Sequence, residues 1–156
     1  ELFTIEGLQV GCGTQGLPTA TVRIRGNDGR VHVHASVGTG PVDAAFKAID
    51  AIVQAPSELL EFSVRSVTEG IDALGEVTVR VRALSEREAA NAQKEVGTAP
   101  VFHGNAADSD IIVASAKAYL KALNRILVAL GPAAPLPSER APATPTPRSS
   151  REEGRP

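Results

Sequence analysis

One cysteine, Cys12, stands in a chain of 156 residues, so no disulfide can form within it, which fits a reducing compartment. Trp and Met are absent and aromatic residues make up only 3%. The core must therefore rest on Val, Leu, Ile and Ala, and stacking platforms for nucleic-acid bases are missing. No apolar run approaches the roughly 20 residues that cross a bilayer as a helix. The formal net charge is -2, with no strong excess of either sign, so nothing electrostatic points to nucleic acid or an anionic membrane as partner. Catalytic signals are equally sparse. There is no G-x-S-x-G elbow, no Cys/His pairing with supporting spacing and no strong metal cluster. The opening "ELFTIEGLQV" has neither an initiator Met nor a signal-peptide layout, and reads as the start of a fragment of something longer.

What remains is a soluble globular balance, 42% hydrophobic and 22% charged, sized for one domain or two small repeated units. From Gly131 the sequence becomes "GPAAPLPSERAPATPTPRSSREEGRP", which cannot bury enough apolar surface to offset chain entropy. Residues 131–156 are read as a disordered Pro-rich tail, with a short linear motif as the alternative.

Before the tail the hydrophobic period switches in order. Phe3, Ile5, Leu8 and Val10 outline a first strand. "TATVRIR" sets Ala20, Val22 and Ile24 against Thr21, Arg23 and Arg25, and "GNDG" signals a tight turn. "RVHVHASV" then puts Val31, Val33, Ala35 and Val37 on an apolar face. The period next becomes helical: Val42, Ala45, Phe46, Ile49, Ile52 and Val53 against Asp43, Lys47, Asp50 and Gln54. Pro41 suits the first turn and Pro56 stops the helix. The programme runs a second time. Leu60, Phe62 and Val64 alternate, then Val77, Val79 and Val81, then comes "APVFHG". A helix follows with Ile112, Tyr119, Leu120, Leu123, Ile126, Leu127 and Leu130 on one face. Asp108 or Ser109 can cap its start, and Gly131 with Pro132 end it. The polar stretch Ser85 to Gly97 is a loop or lid.

The expected fold class is therefore α+β: two repeated βββα units, with antiparallel sheets packed on two amphipathic helices. Unit one spans 1–56 and unit two 57–130. Val31 and Val101, Ala44 and Ala114, Lys47 and Lys117, Ala48 and Ala118 align at one offset, and an internal duplication is the simplest account.

Several motifs have plainer readings. "GCGTQG" matches G-x-G-x-x-G as letters, but a strand rather than a helix follows, so a hairpin loop is expected. His32 and His34 share a strand face without a third ligand nearby, which favours a solvated or partner-facing surface over a metal site. Arg23, Arg25, Arg65, Arg80 and Arg82 form polar strand faces, solvated or packed onto another domain. Asp43 and Asp50 share a wet helix face.

The turn "GTGP" differs because a helix N-terminus opens there. Its N–H groups and the helix dipole favour a carboxylate by roughly 0.3–1 kcal/mol. Gly38 and Gly40 permit close backbone approach. Asp43 repels phosphate but accepts from an ammonium, so an amino-acid backbone fits; a capped helix entry without ligand is the alternative.

The segments "GTGPVDAAFKAID", "LLEFSVRSVTEGIDALGEVTVRVR" and "DSDIIVASAKAYLKALNRIL", in this order, resemble the C-terminal regulatory domain of 2-isopropylmalate synthase, over roughly Leu2 to Leu130. The resemblance implies a homodimeric domain of two βββα units that binds L-leucine near the interface and mediates feedback inhibition of leucine biosynthesis. The family's enzyme condenses acetyl-CoA with 2-oxoisovalerate in an N-terminal TIM barrel holding a divalent metal. Nothing here resembles that barrel, so no catalytic residue and no cofactor or metal is expected in this chain. The resemblance assigns the amino-acid backbone to Gly38, Thr39, Gly40, Pro41, Val42 and Asp43. It assigns the side-chain pocket to Leu59, Phe62, Ser66 and Ala73, and the closing loop to Ser109, Asp110 and Ile111. Citramalate synthase carries a similar domain, whose effector is isoleucine, and a dimerisation module without ligand is a third reading. Bacterial cytoplasm or a plastid stroma is the expected location, with no nucleic acid and no membrane as partner.

Overall fold

In a computed structural model the described residues are 1–67, 74–84 and 99–131. Ala73 and its "TEGIDA" block, the segment Ser85 to Gly97, and the tail beyond Gly131 lie outside them. The elements follow the order β1 (Phe3–Gly11), β2 (Thr19–Gly26), β3 (Val31–Val37), α1 (Pro41–Val53), β4 (Ser57–Ser66), β5 (Gly75–Ala83), β6 (Val101–Asp108) and α2 (Ile111–Leu130). Two antiparallel three-stranded sheets, β1-β2-β3 and β4-β5-β6, accompany two helices, as expected for two βββα units.

Each helix touches both sheets, so the helix pair lies between them. α1 packs on β2 and β3, and α2 on β5 and β6 and also on β1. α1 reaches the second sheet through Phe46, whose ring meets Phe62 edge-on at 6.0 Å between centroids. One core joins Val22 and Ile24, Phe46 and Ile49, Val77, Val79 and Val81, and Leu123 and Ile126. Sandwiched helices must be apolar on more than one stripe. That is why alanines fill the remaining faces, with Ala44, Ala48, Ala114 and Ala118 fully buried.

The central strands β2 and β5 bury every second residue, as their alternation predicts. Two edge strands depart from a simple period of two. β1 shifts register between Ile5 and Gly7, which lets Phe3 and Ile5 share a face with Leu8 and Val10 despite opposite parity. β4 shifts between Leu59 and Glu61. Leu59, not Leu60, therefore joins Phe62 and Val64 opposite Val81, Val79 and Val77, and Leu60 is the bulged residue.

β3 also corrects its expected orientation. His34 pairs with Val22 and His32 with Ile24, so the histidines face the helices. The row Val31, Val33, Val37 faces away from them and stays 43%, 59% and 50% exposed. The register comes from the Gly26–Arg30 turn, closed by Gly26 N–H to Arg30 O at 2.8 Å and by Gly29 at φ 79°. A turn of that length aligns β3 with the strongly buried pattern of β2, whatever the side chains of β3 prefer.

α2 starts later than expected: β6 continues to Asp108, and Asp110 is the cap. Gly131 ends α2 at φ 82°, while Leu130 is exposed because the last turn outruns the core. Between the helices Tyr119 Oη donates to Asp50 Oδ1 at 2.8 Å, and Phe46 stacks on Tyr119 with centroids 4.2 Å apart. Burial raises the Asp50 carboxyl above its ordinary value, against the lowering effect of the Tyr119 hydrogen bond. The same burial, with Asp50 beside it, pushes the Tyr119 phenol far up.

A raised aspartate binds its proton more tightly folded than unfolded. Stability is then greatest well below an ordinary aspartate pKa and declines as pH climbs through the raised value. Asp50 keeps one side toward water, which screens the effect. Asp50→Asn keeps an acceptor for Tyr119 without the charge. The expected outcome is a variant at least as stable as wild type at pH 7, with the advantage vanishing near pH 3, read from thermal melts across that range.

Candidate functional site

The turn between β3 and α1 is built tightly against its own helix. Gly38 N–H donates to Pro18 O at 3.0 Å, and a Cβ on Gly38 would sit 2.4 Å from Ala44 N and 2.6 Å from Asp43 Oδ2. Only glycine fits, because the backbone of α1 at Ala44 occupies that space and cannot give way as the Asp43 side chain could. Asp43 Oδ2 accepts from Thr39 N–H at 2.9 Å and pairs with Lys47 Nζ at 2.9 Å. Lys47 first, and Thr39 second, hold this carboxyl below its ordinary value. The cation beside Asp43 is thus the chain's own lysine. Val42 packs its side chain against the core, and Pro41 occupies the first helical turn.

The α1 N-terminus itself is bare. Its cap residue is Gly40, in extended backbone at φ -157°, and no side chain bonds the first N–H groups. Ala44 N–H finds Gly40 O, but Val42 and Asp43 N–H have no partner among the described residues. α2 resolves the same problem internally. Asp110 Oδ1 accepts from Ile112 N–H at 2.8 Å and Val113 N–H at 3.3 Å. By the repeat alignment these two amides correspond to those of Val42 and Asp43, and Asp110 corresponds to Gly40. One repeat carries a carboxylate at its helix start; the other has glycine at that position and two amides without a partner among the described residues.

The lysines repeat as well. Lys117 Nζ lies 2.8 Å from Asp108 Oδ2, and Asp108 Oδ1 accepts from Asp110 N–H at 3.1 Å. Lys47 and Lys117 were legible as identical residues at one offset, yet were not expected at the site. The signal that could have found them was an identical charge nearly two helical turns inside both helix starts.

Of the expected pocket residues, Leu59, Phe62 and Ser66 are spread along β4, and only its Ser66 end comes near Ile111 at the start of α2. Leu59 and Phe62 share one face, and Phe62 remains 38% exposed. Ser66 pairs with Gly75, and a Cβ on Gly75 would lie 2.9 Å from Ile111 Cγ1. Ile111 is thereby set against the end of β4, with Ser109 exposed just ahead of the Asp110 cap. No hydrogen bond or ion pair among the described residues joins the Gly38–Asp43 turn to the Ser109–Ile111 turn. A cleft of about 700 Å³ lies elsewhere, beside β6 and α2, lined by His103, Asn105, Lys121 and Arg125.

The plainer motifs resolve as follows. "GCGTQG" forms the connection from β1 into β2, without a helix. Three of the five strand arginines pair across strands: Arg25 Nε meets Glu6 Oε1 at 2.6 Å, Arg80 meets Glu61 at 2.8 Å, and Arg82 pairs with Glu58. No group of three His, Cys, Asp or Glu among the described residues has a metal-binding arrangement. No described helix is long and apolar enough to cross a membrane.

Two βββα units, each with a turn of small residues feeding its helix, make this an α+β domain built on a repeat. Residues 1–127 match the family described as the LeuA allosteric (dimerisation) domain, and the chain belongs to that family. It is similar to 2-isopropylmalate synthase of Gloeobacter violaceus, 54% identical over 130 residues, covering 83% of this chain and 22% of that protein. The 2-isopropylmalate synthases of Nostoc sp. and Microcystis aeruginosa are 51% identical over 130 residues and 55% over 128, covering 83% and 82% of this chain and 22% and 21% of theirs. The chain thus spans about a fifth of the length of these relatives, and it corresponds to their regulatory domain.

Proposed function

We propose that this domain binds free leucine and transmits its presence to a 2-isopropylmalate synthase catalytic domain, as end-product feedback on leucine biosynthesis. The observation that carries the reading is the bare α1 N-terminus. Val42 and Asp43 N–H are unpartnered among the described residues, at the positions where α2 supplies its own Asp110 carboxylate. A ligand carboxylate there gains about 0.3–1 kcal/mol from the helix dipole, and up to about 2 kcal/mol where partly buried. Burying an isobutyl side chain against apolar residues such as Leu59 and Phe62 contributes a further 2–3 kcal/mol or so. The expected regulatory coupling is about 1–3 kcal/mol, because a ligand shifts activity only through different affinity for two states of the whole enzyme.

Calorimetric titration of the chain with leucine, isoleucine and valine tests the assignment. Leucine is expected to give saturable heat, with valine weaker by roughly tenfold or more, since one methylene is worth about 1–3 kcal/mol. Preference for isoleucine instead transfers the domain to a citramalate synthase role. Absence of heat from all three leaves a dimerisation module without ligand.

A further inference from the structure

The second repeat carries charge where the first carries none. At the offset that aligns Lys47 with Lys117, the residues Val33, Ala35, Ala51 and Ala55 of the first repeat correspond to His103, Asn105, Lys121 and Arg125 of the second. Small or apolar side chains in one repeat are thus nitrogen-bearing ones in the other. All of the latter line a single cleft of about 700 Å³ beside β6 and α2. The first repeat forms its sheet and helix without any of them, so the βββα unit does not require them.

The two cations are tied in place. Lys121 Nζ donates to Asn105 O at 3.1 Å and Arg125 Nη1 donates to His103 O, so β6 carbonyls fix both charged heads on successive turns of one helix face. Each contact uses one donor, which leaves most of the ammonium and guanidinium protons without a partner among the described residues. Neither cation has a carboxylate. Among the described residues Arg25, Arg30, Lys47, Arg80, Arg82 and Lys117 each pair with an acid, whereas Lys121 and Arg125 do not. Arg23 and Arg65 also lack an acid within ion-pair reach, but they sit on different sheets. Glu1, the one acid lining the cleft, pairs with neither cation. In a chain of formal net charge -2, two uncompensated cations on one wall of a polar cleft need a counter-charge.

We propose that the cleft between β6 and α2 is a second ligand site, for a small dianion carrying a phosphate group or two carboxylates. Two fixed cations one helical turn apart match two negative charges, and the Arg125 fork suits the paired oxygens of either group. A monocarboxylate needs only one of them, so an amino acid such as leucine is not the ligand of this cleft. Its volume falls within the roughly 300–1,000 Å³ of small-molecule sites. The inference does not rest on what the α1 turn binds.

Titration of the chain with inorganic phosphate, pyrophosphate and succinate, followed by amide NMR shifts and calorimetry, tests it. Acetate and chloride are the monoanion controls. Saturable shifts at residues 103–105 and 121–129 are expected for a dianion and not for the controls, and the phosphate and succinate arms tell the two head groups apart. Lys121→Gln and Arg125→Gln keep a donor for the β6 carbonyl and remove the charge. Each is expected to weaken binding roughly tenfold or more. Arg23→Gln removes the same charge from the other sheet and is expected to leave affinity unchanged. The wild-type shift map needs no variant to fold. Lack of saturation by every dianion, shifts that collect instead at Gly38–Asp43, or an equal response to acetate overturns the proposal. So does unchanged affinity in either cleft variant, or a loss in Arg23→Gln as large as theirs. Leucine titration of the same samples keeps the two readings apart. Its shifts are expected at residues 38–43 whatever the dianion does, so failure at one site leaves the other standing.

Discussion

Gly104→Ala is expected to lower the thermal midpoint by roughly 10 °C or more, the largest stability effect of any single methyl group in the described core. A Cβ at this position would lie 1.8 Å from Ala118 O and 2.9 Å from both Ala118 C and Ala122 N. All three are backbone atoms of α2, so no rotamer change relieves the overlap. Either the helix leaves β6 or the strand bends away, and both open the layer that Ala118 and Ala122 fill at full burial. Overpacking a close-packed core costs about 1–3 kcal/mol, and more where backbone must move. For a domain of this size each kcal/mol shifts the midpoint by about 3–5 °C. Gly13→Ala and Gly16→Ala, whose added methyls meet nothing within 4 Å, are the controls and are expected to change the midpoint little. A Gly104→Ala melt within about 2 °C of wild type means that β6 and α2 are not packed this closely.

Gly104 also shows where sequence reading stops. Glycine reads as a strand breaker, and the third strand of the second repeat was expected to end at "APVFHG". β6 runs on to Asp108 because the glycine marks the approach of a helix backbone, which lies at a distance in sequence that no local pattern encodes. The central strands and both helices were legible because burial on known faces imposes their period. The edge strands were legible only in part. In β3 the residues form a correct alternation with its apolar side turned outward, because pairing with β2 fixes the register. In β4 the doubled leucine conceals a bulge. An apolar row on an edge strand fits a helix below or a partner copy above equally well, and one chain's sequence cannot distinguish them. At the site, the turn was legible as a helix start, whereas the Lys47–Asp43 pair that occupies the expected ammonium acceptor depends on side-chain reach.

Gly40→Asp is expected to abolish leucine binding, by at least a hundredfold or so, while leaving the domain folded and slightly more stable. The two effects share a cause. Gly40 sits in extended backbone open to any L-residue, and a Cβ there meets nothing within 4 Å. Aspartate is among the best helix caps, worth about a few tenths of a kcal/mol over glycine. The second repeat supplies the template, since Asp110 at the matching position bonds both Ile112 and Val113 N–H. A carboxylate at residue 40 thus takes the two donors that a ligand carboxylate needs, and repels it by about 1–4 kcal/mol at 4 Å, between water and a protein surface. Gly40→Ser separates the parts: the hydroxyl caps without charge, so affinity is expected to fall less and to depend less on salt. Thermal melts give an independent reading. Wild type gains about 2.7 kcal/mol of apparent stability at a leucine concentration a hundred times its dissociation constant. Gly40→Asp is expected to start higher and gain nothing. Unchanged affinity in that variant moves the ligand carboxylate away from α1, and a lower starting midpoint removes the capping argument on which the assignment of this turn depends.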